Sequence, residues 1–505
     1  MLSMDNLREV VRLGTDLSAE KDKNRLFEKL LRTAMDITQC DAGTLYLYKE
    51  GALHFKVMKT RSLGISRGER GEKIDLPPVA LKEENVCAYA ALRRELVNIP
   101  DVYSSDRFDF SGPRRYDSLT GYRTGSMLVV PLEDTEIGLI GVLQLINKTD
   151  ADGMLQAFSA EDEFILQSMG SMTAVSLSNM LYVNEIKAQM FSFVQAFATA
   201  VDERTPYNGT HTRKVTIYAD LLAREINRRH DRQGEKEFFD DARREQLILS
   251  AALHDIGKMI VPLTVMNKAT RLEEKLAMIK ARFAWLSVCL ERDRFSGRIT
   301  PEEEQAKQQE LKEDLSFIEE KNAAGFLPDD ALERVRSIAE KRYLSPDGSC
   351  VPYLNDDETK CLLIRKGTLT AEERRIMESH VVFTDRILEK VRFSPKYAHT
   401  RQFAAGHHEY LNGCGYPKGL SADSLPLESR ILTVVDVFDA LTCTDRPYKK
   451  PIPRPKAFAI LHDMAHAGQI EEELVSCLET ALEEIDMEEI ERLARSDTWG
   501  EEIFG

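Results

Sequence analysis

The 505-residue sequence has no apolar run that approaches the ~20 residues a membrane-spanning helix needs. Its longest apolar stretches, such as Gly138 to Ile146, read as buried strands. The opening MLSMDNLREVVRLG lacks the basic-then-apolar form of a secretory signal, so a cytoplasmic protein without membrane insertion is expected. No basic block offsets the net charge of −16, which argues against nucleic acid or an anionic membrane as the main partner. The eight cysteines are scattered, without pairs at short spacing. Cys40, Cys87 and Cys477 read as small core residues and Cys414 as a loop residue, so free thiols are expected in place of a disulfide framework or zinc finger. Internal repeats and long low-complexity stretches are absent. A hydrophobic content of 43% still provides for globular cores, and the length suits two or three domains.

Against this background, five of the ten histidines make sense together: His211, His254, His380, His407 and His408. His254 and Asp255 open HDIGK, His407 and His408 open HHEYLNGCGYPKGL, and Asp436 lies in VVDVFDAL. Imidazoles and carboxylates without thiolates suit Fe, Mn, Zn, Co or Ni, and this set is large enough for two ions. Adjacent residues such as His254 and Asp255 can reach one site only at a helix end or bend, which Gly257 fits. A carboxylate bridging two ions ~3.5–4 Å apart gives the geometry used for displacement at phosphorus. Taken singly, a histidine is more often inert than a ligand, and His54, His230, His399, His462 and His466 are read that way.

Residues 5 to 38 carry apolar positions at helical spacing. GTLYLY (43–48) and LHFKVM (53–58) read as a strand pair across Lys49, Glu50 and Gly51. SMLVVPL and GLIGVLQLIN read as two further strands joined by an acidic turn, and Ser159-Ala-Glu-Asp is a capping-box start for the next helix. The expectation for residues 1–182 is an α+β domain, an antiparallel sheet with flanking helices. Residues 181 to 203 read as a continuous helix whose Leu181, Ile186, Met190, Phe193, Phe197 and Val201 suit pairing with a second copy, or packing on the chain's own domains. Residues 204–455 read as all-α. A charged stretch at about 271–366 interrupts them, as a solvated helical excursion or a lid, with a turn at 345–349. Residues 456–505 read as an acidic helical tail.

The first portion resembles a GAF domain, most strongly in NVCAYAALRRELVNIPDVY, FDFSGPRRYD and GYRTGSMLVVPL. Asn147, Lys148, Phe158, Asp162 and Glu163 match the N-K…F…D-E signature of GAF domains in cyclic-nucleotide phosphodiesterases. That resemblance implies a fold with a ligand pocket; a GAF domain that only dimerises fits the same residues, so the ligand stays open. The portion from 195 to 455, outside the charged stretch, resembles the HD-GYP family of HD phosphohydrolases. HDIGK, KGTLTAEERRIMESH, HHEYLNGCGYPKGL and DVFDALTCTDRPYKK carry the match.

This second resemblance implies hydrolysis of cyclic di-GMP to pGpG or GMP at a centre of two or three metals, often iron, with manganese also suitable. Other members act on cyclic GMP-AMP. The ligands it implies are His211, His254, Asp255 and Asp436 for one ion, and the bridging Asp255 with His380, His407 and His408 for the other. Lys258 is implied to act with Asp255 in catalysis and to meet a phosphate oxygen. Arg446 and Lys449 are implied to hold the second phosphate or a guanine. Gly413, Gly415, Tyr416 and Pro417 are implied to shape the loop beside the site. Tyr207 stands where members with three metals have Glu, so two ions are expected, and Thr205 replaces a common Asp. A GAF-regulated homodimer and a diguanylate cyclase partner are in keeping with this architecture. A binding or docking module with little turnover is the reading of another class, disfavoured by the intact ligand set.

Overall fold

The computed structural model describes residues 12, 14–16, 19–20, 22–204, 209–233, 237–443, 451–483 and 485–496. The chain divides into two compact units, Met1–Gln189 and Met190–Gly505.

The first unit is built on an antiparallel sheet. Its strands are β1 (Cys40–Lys49), β2 (Ala52–Thr60), β3 (Ile65–Arg67), β4 (Val79–Ala80), β5 (Val97–Ile99), β6 (Met127–Asp134), β7 (Gly138–Thr149) and β8 (Leu155–Gln156). The order is β3-β2-β1-β7-β6-β5, with β4 on β2 and β8 on β7. The β1–β2 hairpin closes through Lys49 opposite Ala52, and Glu50 and Gly51 take φ of 53° and 79°. A two-residue turn with both φ positive follows the right-handed twist of the strands. Alternation along β6 and β7 then serves two cores. Leu128, Val130, Leu143 and Leu145 face the Lys23–Thr38 helix and Ile165, Leu166 and Met169. Met127, Val129 and Val142 face Val86, Cys87, Ala90 and Phe110. Each fully buried Leu or Phe contributes about 1.5–3 kcal/mol.

The single helix expected over 5–38 is interrupted within the described residues. Asp22 is extended, and its side chain accepts from the Arg25 N–H to start a helix at Lys23. An Asp at that place competes with helix continuation through this cap. At the other end, Ser159 and Asp162 cap reciprocally: Ser159 N–H donates to Asp162 Oδ2 at 2.6 Å and Asp162 N–H to Ser159 Oγ at 3.3 Å. The helix they open, Ala160–Asp202, runs 43 residues and passes from the first unit into the second.

The second unit is mostly helical. Its main core joins Val215 and Leu222 of the His211–Gln233 helix to Leu247, to Ile431, Val435 and Phe438 of the Leu427–Thr442 helix, and to Phe458, Leu474, Leu478 and Ile490. The stretch from 456 is therefore no detached tail. Its helices Arg454–His466, Glu472–Glu483 and Met487–Arg495 complete this core, because their polar faces leave an apolar stripe to bury.

The charged stretch differs from a solvated excursion. Helices Lys275–Phe295, Pro301–Asn322, Asp329–Glu340 and Asp356–Leu362 enclose a core of their own, including Ile279, Phe283, Leu286, Ile318, Leu332 and Leu362. The turn at 345–349 joins the short strands Arg342–Leu344 and Cys350–Pro352. Arg271, fully buried, closes the base by donating to the carbonyls of Ile364, Lys321 and Ala324. Among the described residues no helix is long and apolar enough to cross a membrane. Cys40, Cys87 and Cys477 are buried and Cys414 is exposed, and none of the eight cysteines is in a disulfide.

Candidate metal centre

The Asp241–Leu253 helix is capped by Asp240, buries every residue from Gln246 to Leu253 and ends at His254. Asp255 follows outside it, at the start of the short Ile256–Met259 turn. This helix end lets both side chains face one point. Thr384 fastens it: its Oγ1 donates to the His254 carbonyl at 2.9 Å and accepts from Gly257 N–H at 3.0 Å. A Cβ on Gly257 would lie 1.9 Å from the His380 carbonyl oxygen and 2.5 Å from Thr384 N. Glycine is thus a condition of bringing the His254 turn against the His380–Leu388 helix.

Asp255 stands at the middle of the cluster. Its Oδ2 lies 3.3 Å from His211 Nε2 and 3.2 Å from His254 Nε2. Its Oδ1 lies 3.4 Å from His380 Nε2 and 3.9 Å from His407 Nε2. Asp436 Oδ1 completes the first side at 3.2 Å from His211 Nε2 and 3.9 Å from His254 Nε2, and its Oδ2 lies 3.8 Å from His408 Nδ1. Three groups each gather their donor atoms within 4.8 Å: His211, His254 and Asp436; His380, His407 and His408; and His254, Asp255 and His407. The expected ligands are brought together, and Asp255 presents one oxygen to each side.

The rings are held from behind. Nδ1 of His254, His380 and His407 lies 2.6, 2.7 and 2.6 Å from the carbonyls of Ala251, Met377 and Ala404. A carbonyl only accepts, so each Nδ1 carries the proton and each Nε2 keeps its lone pair for the centre. His211 Nδ1 meets Asp439 Oδ2 at 2.6 Å. Asp439 is a site residue that the sequence reading did not single out; its spacing of three from Asp436 on one helix was the available signal.

Charge and burial divide the histidines. Burial pushes His380 down to about 3, and burial with the neighbouring His408 and His254 charges holds His407 well below the usual histidine range. Burial likewise lowers His408. Burial also opposes protonation of His211, but Asp255, Asp436 and Asp439 outweigh it and push that ring well above the usual range. Burial works to raise Asp255, yet the His254 and Lys258 charges and hydrogen bonds from His211 and His254 hold it well below the carboxylate range. Asp436 is likewise held low by His211 and His408 against its burial. Neutral imidazoles at His380, His407 and His408 beside ionised carboxylates are the protonation states that ligation requires, whereas His211 would give up its proton as an ion binds.

Lys258 forms an ion pair with Asp255 Oδ2. The GYP loop folds back on the histidine pair: Tyr416 N–H donates to the His408 carbonyl at 3.1 Å, and the Tyr416 and His408 rings stand 4.8 Å apart. A Cβ on Gly415 would lie 2.4 Å from Tyr410 N and 2.5 Å from Glu409 Cα, and Gly413 takes φ of 74°. Pro417 follows a cis Tyr416–Pro417 bond. Buried Glu409 staples the loop by accepting from Lys418 N–H at 2.7 Å and Leu420 N–H at 2.8 Å. Its place directly after His407-His408 was visible in the sequence, though its task was not. Thr205, Tyr207, Arg446 and Lys449 lie outside the described residues. Of the histidines set aside as inert, His399 stacks on Phe403 and His462 pairs with Glu472.

Two of the cluster's central atoms, His254 Nε2 and Asp255 Oδ1, are buried and have no hydrogen-bond partner among the described residues. Buried polar atoms are normally paired, and cations held by the two ligand groups would satisfy both. The N/O donor set, free of thiolate, fits a divalent transition metal.

In the first unit, Asn147 ties the strands: its Nδ2 donates to Arg123 O and its Oδ1 accepts from Gly125 N–H, both at 2.7 Å. Lys148 pairs with Asp162, while Asn98 Nδ2 reaches Phe158 O at 2.9 Å and Glu163 Oε1 at 2.7 Å. The Lys148–Asp162 pair thus joins the last long strand to the helix that follows, while Asn147 holds that strand to the segment before β6 and Asn98 of β5 holds Phe158 and Glu163. A separate cavity of about 280 Å³ opens among Tyr46, Asn85, Cys87, Asp109, Tyr122 and Gln144.

The chain matches the family model of the GAF domain over residues 22–177 and two models of the HD domain over residues 208–313 and 357–474. It is 25% identical to the 3'3'-cGAMP-specific phosphodiesterase 3 of Vibrio cholerae, over 58% of this chain and 40% of that one. It is 38% identical to a cyclic di-GMP phosphodiesterase of Thermotoga maritima, over 21% of this chain and 28% of that one. It is 30% identical to the dual 3',5'-cyclic-AMP and -GMP phosphodiesterase 11A of Takifugu rubripes, over 35% of this chain and 19% of that one. The chain thus spans less than half the length of these curated relatives. Among solved structures, the GAF domain of an Acinetobacter phosphoenolpyruvate-protein phosphotransferase matches with 18% identity and a TM-score of 0.28, over 36% of this chain and 99% of that one.

Proposed function

We propose, for a chain that carries a GAF domain followed by an HD domain, the metal-dependent hydrolysis of the phosphodiester bonds of a cyclic dinucleotide. The observation that carries this reading is the Asp255 carboxylate, with Oδ2 turned to His211 and His254 and Oδ1 to His380 and His407. Residues so placed suit two ions, iron or manganese, with His211, His254 and Asp436 around one and His380, His407 and His408 around the other. When bound, such a pair supplies charge neutralisation at phosphorus and acidifies an attacking water.

The chain's own residues do the rest. Asp439 and the three backbone carbonyls hold the ligand rings in register. Lys258 places an ammonium beside the Asp255 carboxylate, where it would stabilise the charge a phosphate oxygen gains as the ester breaks. Tyr416, packed on His408, forms a wall against which a base can rest. Cyclic di-GMP is the substrate this reading favours, with pGpG or GMP as product. Cyclic GMP-AMP is the second reading, favoured by the Vibrio cholerae relative that aligns over 58% of the chain.

The GAF domain supplies regulation, with a small-molecule ligand in its 280 Å³ cavity. The Ala160–Asp202 helix supplies a homodimer seam, because Val183, Ile186, Phe193 and Phe197 lie exposed along it at spacings of three and four or their sum. The test is to load the protein anaerobically with Fe(II) or Mn(II), add each dinucleotide, and separate the products by chromatography. Cleavage of cyclic di-GMP that is lost in a His254→Ala/Asp255→Ala variant is expected. Metal-replete protein that cleaves neither dinucleotide would overturn the proposal.

A further inference from the structure

Near its end, the Ala160–Asp202 helix reaches the first turn of the His211–Gln233 helix with two side chains three residues apart. Thr199 Oγ1 accepts from Arg213 Nη2 at 3.0 Å. Asp202 Oδ1 accepts from the Thr212 backbone N–H at 3.2 Å and from Thr212 Oγ1 at 2.7 Å. The first N–H groups of a helix have no partner within it, and the residue just before the helix usually supplies the cap. Here a carboxylate ten residues earlier does so, from the end of the preceding helix.

This arrangement has a cost. Asp202 is 1% exposed, and its Oδ2 is buried without a hydrogen-bond partner among the described residues. A half-satisfied buried carboxylate is unfavourable, and burial pushes its carboxyl up despite Thr212 and the nearby His211 charge. Such costs concentrate where a site requires a particular geometry.

The residue beside Thr212 is His211. Its ring is fixed by Asp439, which grips Nδ1. Its backbone is fixed by the cap on the next residue. The apolar packing of the same helix end does not single out one side of the centre. Phe191, Val194 and Ala198 share a core with Leu253, which precedes His254, but also with Leu388 and Ala404. Among the described contacts of this helix end, the Asp202 cap holds the residue next to His211.

We propose that Asp202 is a positioning residue for the metal centre: it sets where the backbone carries His211, so the last turn of the connecting helix governs the triad of His211, His254 and Asp436. This inference rests on the reading that this triad holds an ion. It gives a displacement of the connecting helix a specific address, one ion of the pair.

The test uses full-length protein and Co(II), whose visible absorption reports each ligand set, with calorimetric titration in parallel. Wild-type protein is expected to bind two equivalents. Asp202→Ala should bind one equivalent as wild type does and the other about tenfold more weakly, within the range that outer-shell losses cost. Asp202→Asn keeps the Oδ1 acceptor and should restore both. Thr212→Val, which removes the hydroxyl from the opposite side, should weaken the same equivalent as Asp202→Ala. Circular dichroism of each metal-free variant checks that the fold is intact. Two wild-type equivalents in Asp202→Ala, equal weakening of both, or an Asp202→Asn variant as impaired as Asp202→Ala would overturn the proposal while leaving the metal centre standing. A wild-type protein that takes up no Co(II) would overturn the metal centre itself, and this inference with it.

Discussion

His211 Nδ1 and Asp439 Oδ2 meet at 2.6 Å, and both residues are buried. The contact fixes which nitrogen of His211 faces Asp255 and Asp436. Asp439→Ala is expected to weaken binding of one metal equivalent by about 10–100-fold. Asp439→Asn should fall between that variant and wild type. Metal titration of the full-length protein, with melting curves of the metal-free forms, separates this from a general loss of stability.

Gly257→Ala should damage the fold and the centre together. The new methyl meets the His380 carbonyl and Thr384 backbone, neither of which can swing aside. A loss of about 3 kcal/mol is expected for overpacking of this kind. Urea unfolding measures it, and unchanged stability with normal metal uptake would contradict the packing described here.

Arg271→Met should loosen the charged insertion selectively. It leaves the carbonyls of Ile364, Lys321 and Ala324 without their donor. At about 1–3 kcal/mol for each unsatisfied buried group, the insertion should become protease-sensitive while the main helical core survives. Limited proteolysis with mass mapping reads this directly: new cuts are expected between 271 and 366.

The Lys214–Glu491 pair, at 2.5 Å, ties the last described helix to the His211–Gln233 helix. Burial acts to raise the Glu491 carboxyl, but Lys214 and Arg495 hold it below its usual value. Burial acts to lower Lys214, but Asp439 and Glu491 raise it. The Glu491 contribution is therefore present above the unfolded carboxyl value of about 4.3 and is lost as pH falls through the lower folded value. The Lys214 contribution is present below its unfolded value of about 10.4 and is lost as pH rises through the higher folded one. Melting temperatures of wild type and Glu491→Gln should differ at neutral pH and converge in acid. A constant difference down to pH 3 (about one unit below the unfolded value) would count against the pair.

Ile186→Glu with Phe193→Glu should abolish self-association through the connecting helix. Both residues are well exposed on one side of it, and charges on a helical seam are poorly tolerated. Sedimentation velocity is the measurement; a wild-type monomer would remove the homodimer from the proposed function.

Much of this molecule was legible in its sequence where a local rule governs. The β1–β2 hairpin, the capping pair Ser159 and Asp162, and the helix end at His254 depend on neighbours in the chain. That His254 and Asp255 share one point was legible because such a pair does so only where a helix stops, whereas the central place of Asp255 was implied by the family resemblance. What stayed hidden depends on partners far along the chain. Asp439 looks like any acid on a helix until it is opposite His211, which is 228 residues away. Glu409 acquires a task only when the loop after it folds back. The insertion reads as a solvated excursion or a lid, and the final helices as an acidic tail, because their charges dominate the composition, while their buried faces are sparse stripes that need a partner helix to be recognised.

The carbonyls behind His254, His380 and His407 each belong to the residue three positions earlier, Ala251, Met377 and Ala404. They are main-chain atoms, so no change of side chain at those positions deletes them. Replacing Asp439, by contrast, removes the group behind His211 in a single step. Mutational drift can therefore retune the angle of His211 while the other three rings keep theirs, and the two sides of the centre differ in how far they can diverge.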